Sequence, residues 1–159
     1  MYGKIDENIL GELRKICGDE NVITDDYNLD VYSRDYTEDF SFKPEVVLKP
    51  GTTNEISDII KLANLENIPV YPRGGGTGLS GGALALYGGM CLSMERFKKI
   101  IEIDENNLQA VVEPGVITQN FHDECEKRGL FYPPDPASRG SCTLGGNLAE
   151  CAGGPRAVK

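Results

Sequence analysis

The sequence has no tryptophan and a single histidine, His122. Its five cysteines, Cys17, Cys91, Cys125, Cys142 and Cys151, are all at least nine positions apart. Structural zinc needs clustered cysteine and histidine ligands, so that class is excluded. An odd cysteine count without a basic-then-apolar leader points to reduced thiols and a cytoplasmic protein. No apolar run approaches the ~18 residues that a membrane span needs. Positive charge is also scarce: 16 lysines and arginines against 25 acids leave a net charge of −9. An acidic chain without a basic stripe argues against nucleic acid and against anionic membrane surfaces as partners. The imbalance is steepest in residues 1–40, where 11 acids meet 4 bases, and it reads as solvated surface. What is present is ordinary: 40% hydrophobic and 26% charged residues, in a chain long enough to bury a core.

Residues 1–40 read as an N-terminal helical segment. Ile9, Leu10, Leu13, Ile16 and Cys17 recur at helical spacing, with Asp6 to cap the helix and Gly18 to end it. A more polar helix is expected near Asp26–Ser33. Residues 41–75 read as a first lobe. Glu45–Leu48 is a strand, and Thr52 with Glu55 forms a capping box. The stripe Ile56, Ile59, Ile60 and Ala63 continues that helix to about Asn67, and Pro69–Tyr71 is the next strand, a βαβ unit. Residues 76–159 read as a second, partial lobe. Met90–Ser93, Ile100–Ile103 and Leu108–Glu113 are β-type runs, the last two a hairpin turning at Asp104–Asn107. Thr118 is expected to cap a helix over 119–128 that ends at Gly129. Leu130–Tyr132 is expected to be a strand, and the chain from Pro133 onward a loop.

Six of the nine residues 74–82 are glycine, directly after the strand that ends near Tyr71. Glycine lets the backbone approach a ligand, and successive free N–H groups make a nest for anions. A pyrophosphate suits that chemistry, and Arg73 is a candidate phosphate partner. Two nucleotide motifs compete for this loop. Gly76 to Gly81 match G-x-G-x-x-G, and Glu95 stands 19 residues after Gly76, as in a dinucleotide-binding fold. That reading needs a helix of three turns after Gly81, and the chain reaches Gly88-Gly89 too soon. It stays as the alternative, an NAD-binding Rossmann domain. The mononucleotide phosphate loop is excluded, because no lysine follows Gly81. A second glycine-rich region runs from Pro133-Pro134-Asp135-Pro136-Ala137-Ser138 through Cys142–Ala149 to Cys151-Ala152-Gly153-Gly154. Its small residues admit a flat ligand, and Ser138, Thr143 and Asn147 offer hydrogen bonds to its edge. Tight loop-on-loop packing is the other reading of this region.

Four blocks now stand in order: Pro72–Gly82, Glu113-Pro114-Gly115-Val116, Pro133–Ser138 and Cys142–Gly154. Together they resemble the FAD-linked oxidases of the vanillyl-alcohol oxidase type, and within them the group that holds glycolate oxidase and D-lactate dehydrogenase. Tyr32–Asp35 and Pro44–Pro50 resemble the opening of that family. The resemblance implies an α+β, PCMH-type FAD-binding fold, a small βαβ lobe and a larger mixed lobe with FAD between them. It implies that Arg73, Gly74, Gly75, Gly76, Thr77, Gly78, Leu79, Ser80, Gly81 and Gly82 hold the pyrophosphate. Pro114, Gly115, Pro133, Asp135, Pro136, Ser138, Thr143, Gly145, Gly146, Asn147, Ala149, Gly153 and Gly154 would then complete the cofactor contacts, along the ribityl chain and flavin. It implies non-covalent FAD, since Thr77 has no nucleophile like the histidine that carries flavin in some relatives. The reaction implied is hydride removal from the α-carbon of a 2-hydroxy acid, with an electron-accepting subunit as a partner. Cys151 replaces the usual asparagine and Ala85 a common proline. Relatives are much longer, so the chain is expected to be the N-terminal part of the FAD domain, with no catalytic residue of its own. Alone it is expected to be isolated without FAD and to self-associate. A non-enzymatic module on the same fold is the remaining alternative. His122 is expected at the surface.

Overall fold

The computed structural model describes residues 2–157. In chain order it contains α1 (Glu7–Cys17), β1 (Val22–Ile23), α2 (Asp26–Val31), β2 (Val46–Leu48), α3 (Thr53–Leu65) and β3 (Val70–Arg73). There follow β4 (Met90–Ser93), β5 (Ile100–Asp104), β6 (Gln109–Val112), α4 (Thr118–Glu126) and α5 (Leu144–Ala149). Contacts divide the chain into two compact units, Met1–Arg96 and Phe97–Lys159.

In the first unit, the helix signals in the sequence are the ones used. Asp6 caps α1 by accepting from the Ile9 N–H at 2.9 Å. Thr52 caps α3 by accepting from the Glu55 N–H at 3.2 Å, and Glu55 reaches back to the Gly51 N–H at 2.8 Å. The sheet runs β1-β2-β4-β3, with β1 antiparallel and the other strands parallel. The expected βαβ unit is therefore a split one. β2 and β3 each pair with β4 and not with each other, so Val47 and Tyr71 both oppose Cys91. The pleat sends alternate side chains to opposite faces. Val46, Leu48, Met90 and Leu92 pack with Ile9 and Leu13 of α1 and Ile59 and Ala63 of α3. Val47 and Cys91 face the other way, toward Leu29 of α2. β2 and β4 are wholly buried, as parallel strands covered on both faces must be. β4 completes this sheet, and the first compact unit runs on to Arg96.

The second unit pairs β5 with β6 as an antiparallel hairpin, with a bulge between Ile100 and Glu102. Val116, Phe121, Cys125 and Leu144 form its buried cluster. Three expectations fail here. Thr118 is the first residue of α4 rather than its cap; Ile117 holds the cap position without a side-chain bond. Leu130–Tyr132 makes no strand. The Leu130 N–H is taken by the Cys125 carbonyl at 2.9 Å, and the Tyr132 ring packs edge-on to Phe121 at 5.0 Å. The stretch after Pro133 contains α5 instead of being loop throughout. Among the described residues no helix is long and apolar enough to cross a membrane. No group of three or more metal-binding side chains is assembled among them.

Candidate functional site

Residues 74–82 follow β3 as bends and turns, with no helix before β4. After Gly81 come single turns: the Leu84 N–H donates to the Gly81 carbonyl at 3.1 Å and the Gly88 N–H to the Ala85 carbonyl at 2.9 Å. A Rossmann domain would put a helix of several turns there, so the structure overturns that alternative. The amides of Gly74 to Leu79, and of Gly81 and Gly82, donate to no backbone carbonyl among the described residues. The loop is held instead through a carbonyl: Gly78 accepts from the Tyr36 N–H at 3.1 Å. A Cβ placed on Gly78 would meet nothing within 4 Å, so that side of the loop is open. Backbone donors without carbonyl partners are what an anion with many oxygen acceptors requires.

Arg73, the expected phosphate partner, is only 9% exposed. Its guanidinium donates to the Arg34 carbonyl at 2.8 Å and the Tyr32 carbonyl at 3.4 Å, and lies 5.4 Å from the Tyr32 ring centre. Glu95, the acid at dinucleotide spacing, is engaged as well. It accepts from the Tyr32 hydroxyl at 3.0 Å and pairs with Lys49 at 2.7 Å. Burial pushes the Glu95 carboxyl up, but Lys49, Tyr32 and Ser93 together pull it below its ordinary value. Cys91 lies on β4, and burial pushes its thiol up to about 11; Cys17 is raised to about 11 by the same cause. Cys151 is the exposed cysteine. Since the thiolate is the nucleophile, iodoacetamide at pH 8 is expected to add one adduct, at Cys151, before any other. Mass spectrometry of peptides checks this; early labelling of Cys17 or Cys91 would contradict the packing.

In the second unit, Pro133–Ser138 is clamped from within. The Asp135 N–H donates to the Gly153 carbonyl at 2.8 Å. The buried Asp135 carboxylate accepts from Arg139 at 2.6 Å and faces Arg156 at 3.2 Å. Arg139 beside it holds that carboxyl below its ordinary value. A group lowered in the folded state stabilises above its unfolded pKa, about 4 for aspartate, and that contribution disappears as pH falls through the lowered value. Asp135→Asn is therefore expected to weaken the second unit at neutral pH and to flatten its acid loss below about pH 4. Thermal melts from pH 7 to pH 2 read this, and unchanged curvature in the variant would refute it.

The polar side chains expected along the ligand edge are mostly occupied inside the unit. Thr143 caps α5 by accepting from the Gly146 N–H at 3.3 Å. The buried Asn147 amide donates to the Thr118 hydroxyl at 2.8 Å, and that hydroxyl lies 3.1 Å from the Cys142 sulfur. Gly145 donates to the Pro114 carbonyl at 2.8 Å, and Leu144 to that of Val116 at 2.9 Å. Pro133, Ala149, Gly153 and Gly154 remain exposed. His122 is buried, not at the surface: its Nε2 lies 2.8 Å from the Pro134 carbonyl, with Tyr132 alongside. Sequence reasoning missed Thr118 and His122 as core polar residues. Their helical spacing with Phe121 and Cys125 was the available signal. Cys151 takes a left-handed φ of 50°, a conformation asparagine adopts far more readily, which fits the asparagine that the family resemblance expects there.

The model of the FAD binding domain family matches residues 44–159. The chain belongs to that family. It is 41% identical over 155 residues to glycolate oxidase subunit GlcD of Bacillus subtilis (strain 168), covering 98% of this chain and 33% of that protein. It is 35% identical to D-lactate dehydrogenase of Anaerostipes hadrus, over 100% of this chain and 33% of that one. The crystal structure of p-cresol methylhydroxylase superposes with a TM-score of 0.75 at 23% identity, covering 91% of this chain and 30% of that chain, so the PCMH-type fold is shared. The chain spans about a third of the length of the curated relatives it matches. The glycine loop fits FAD, the cofactor of the family: the amides of Gly74 to Leu79 have no carbonyl partner among the described residues, and the space beside Gly78 is open.

Proposed function

We propose that this chain is the FAD-binding part of a flavin-dependent 2-hydroxy-acid dehydrogenase or oxidase of the glycolate or D-lactate type. The amides of Gly74 to Leu79, Gly81 and Gly82, which donate to no backbone carbonyl among the described residues, carry the reading, and the names of the relatives supply its substrate class. Bound FAD would accept the hydride that leaves the α-carbon of the hydroxy acid. The task of this chain is to bind and orient. Gly74, Gly75, Gly76, Thr77, Gly78, Leu79, Gly81 and Gly82 point N–H donors at the pyrophosphate. In the second unit, the backbone of Pro133, Pro136, Ser138, Ala149, Gly153 and Gly154 is assigned to the ribityl chain and flavin. Pro114, Thr143, Gly145, Gly146 and Asn147 fix α5, on which part of that surface stands, and Gly115 is assigned with Pro114 to the cofactor side. No residue here is assigned to the hydroxyl proton. The cofactor is held without a covalent bond, in a cytoplasmic protein that passes electrons to a partner subunit.

The test is made on the whole protein that carries this chain. Flavin absorbance should be present, should be released by acid denaturation, and should bleach anaerobically on adding glycolate, D-lactate or D-2-hydroxyglutarate. A protein without flavin, or a flavin that none of the three reduces, would overturn the reading.

A further inference from the structure

Arg73 differs from its surroundings in one respect. It is a long cationic side chain, 9% exposed, on the last residue of β3, immediately before the glycine loop. Among the described residues no carboxylate lies within ion-pair distance of it. A buried cation is costly unless its donors are satisfied. Here the backbone meets part of that demand: the two terminal guanidinium nitrogens reach the carbonyls of Tyr32 and Arg34, and Cζ lies 5.4 Å from the Tyr32 ring centre. The same guanidinium fills the space where Gly76 lacks a side chain. A Cβ on Gly76 would come within 2.2 Å of Nη2 and 2.6 Å of Cζ. Gly76 also has a φ of 66°. The absent side chain thus serves the arginine beneath the loop as well as the backbone turn.

The anchor has its own support. The Tyr32 hydroxyl donates to Glu95, which Lys49 also pairs and the Ser93 hydroxyl also approaches, at 3.2 Å. Lys49 lies on the segment leaving β2, Ser93 ends β4 and Glu95 stands two residues beyond it. The Arg34 carbonyl is two residues from the Tyr36 N–H that holds Gly78. Arg73 therefore joins the sheet, the 32–36 segment and the glycine loop at one point.

We propose that Arg73 is a positioning residue rather than a phosphate ligand: it clips the 32–36 segment beneath Gly76, and so fixes the curvature in which the amides of Gly74 to Leu79 make no backbone bond. The proposal rests on the reading of that loop as the pyrophosphate site. The planar fork of arginine is essential to it, since lysine is a point charge that cannot span two carbonyls and stack on a ring.

Two measurements on the 159-residue chain test the clip without cofactor. In a double-mutant cycle, Gly76→Ala should lower the folding equilibrium of the first unit roughly tenfold more in the unsubstituted background than in Arg73→Ala, where only the backbone cost of the turn remains. Gly78→Ala, with open space around it, should show no such coupling. Additive penalties at Arg73 and Gly76 would overturn the proposal. In hydrogen exchange, Arg73→Lys should speed the Tyr36 amide about tenfold while leaving the α1 amides unchanged, the pattern of local opening. Equal acceleration in both, or in neither, would overturn it.

FAD titration then separates the two roles. A positioning arginine predicts that Arg73→Lys weakens FAD as much as Arg73→Ala does. Rescue of affinity by lysine, itself a phosphate binder, would make Arg73 a ligand and end the proposal. If the unsubstituted chain in its whole protein binds no FAD, the reading of the loop as a cofactor site falls. The exchange and cycle results still decide the clip.

Discussion

Ile59→Ala should destabilise the first unit by about 2–5 kcal/mol, and Ile60→Ala, one position further on, by less than about 1 kcal/mol. Ile59 is fully buried on the face of α3 that packs with Val46, Leu48, Met90 and Leu92, whereas Ile60 is 37% exposed. The first change leaves a cavity between helix and sheet that close-packed neighbours cannot fill. The second removes contacts that water already shares. Urea denaturation followed by far-UV circular dichroism reads both, and similar midpoints for the two variants would contradict the orientation of α3.

Gly154→Ala is the second large effect, and it reaches the proposed flavin side. Gly154 has a φ of 121°, and a Cβ there would stand 2.1 Å from the Asp135 carbonyl oxygen. Neither the conformation nor the contact admits a side chain, so the cost is roughly 1–3 kcal/mol in strain alone, with the clash added. The cheapest relief is to detach the segment, breaking the bond from the Asp135 N–H to Gly153. Exchange of the Asp135 amide should therefore accelerate at least about tenfold, since ~1.4 kcal/mol is a factor of ten in an equilibrium. Gly153→Ala, where a Cβ would meet nothing within 4 Å, is the control and should leave that amide protected. Equal exchange in the two variants would refute the clamp.

The elements that could be read in the sequence share a cause: their signals are local. Asp6, Gly18, Thr52 and Glu55 act within four residues, and the apolar stripes of α1 and α3 repeat along one helix. The β5–β6 hairpin was legible because its turn sits at Asp104–Asn107, where Asp104 accepts from the Asn106 and Asn107 amides. What escaped depends on distant pairing. Nothing in Met90–Ser93 says that it inserts between β2 and β3. α5 was hidden because Gly145 and Gly146 have poor helix propensity. It forms because Thr143 caps it and because Leu144 and Gly145 bond to the carbonyls of Val116 and Pro114. The glycine loop stood out from composition alone, and its lack of a helix after β3 agrees with that reading. The inward engagement of Arg73, Thr143 and Asn147 was not, since a polar residue near a cofactor motif and one that braces it look the same in sequence.

Amide chemical shifts of the glycine loop test the central claim most directly. FAD is titrated into the isotope-labelled chain, up to concentrations that reveal weak binding, and the backbone N–H resonances are followed. The account predicts saturable shifts centred on Gly74, Gly75, Gly76, Thr77 and Gly78, with ADP reproducing them and riboflavin, which has no pyrophosphate, leaving them unmoved. Shifts confined to other residues, or loop amides equally displaced by riboflavin, would contradict it.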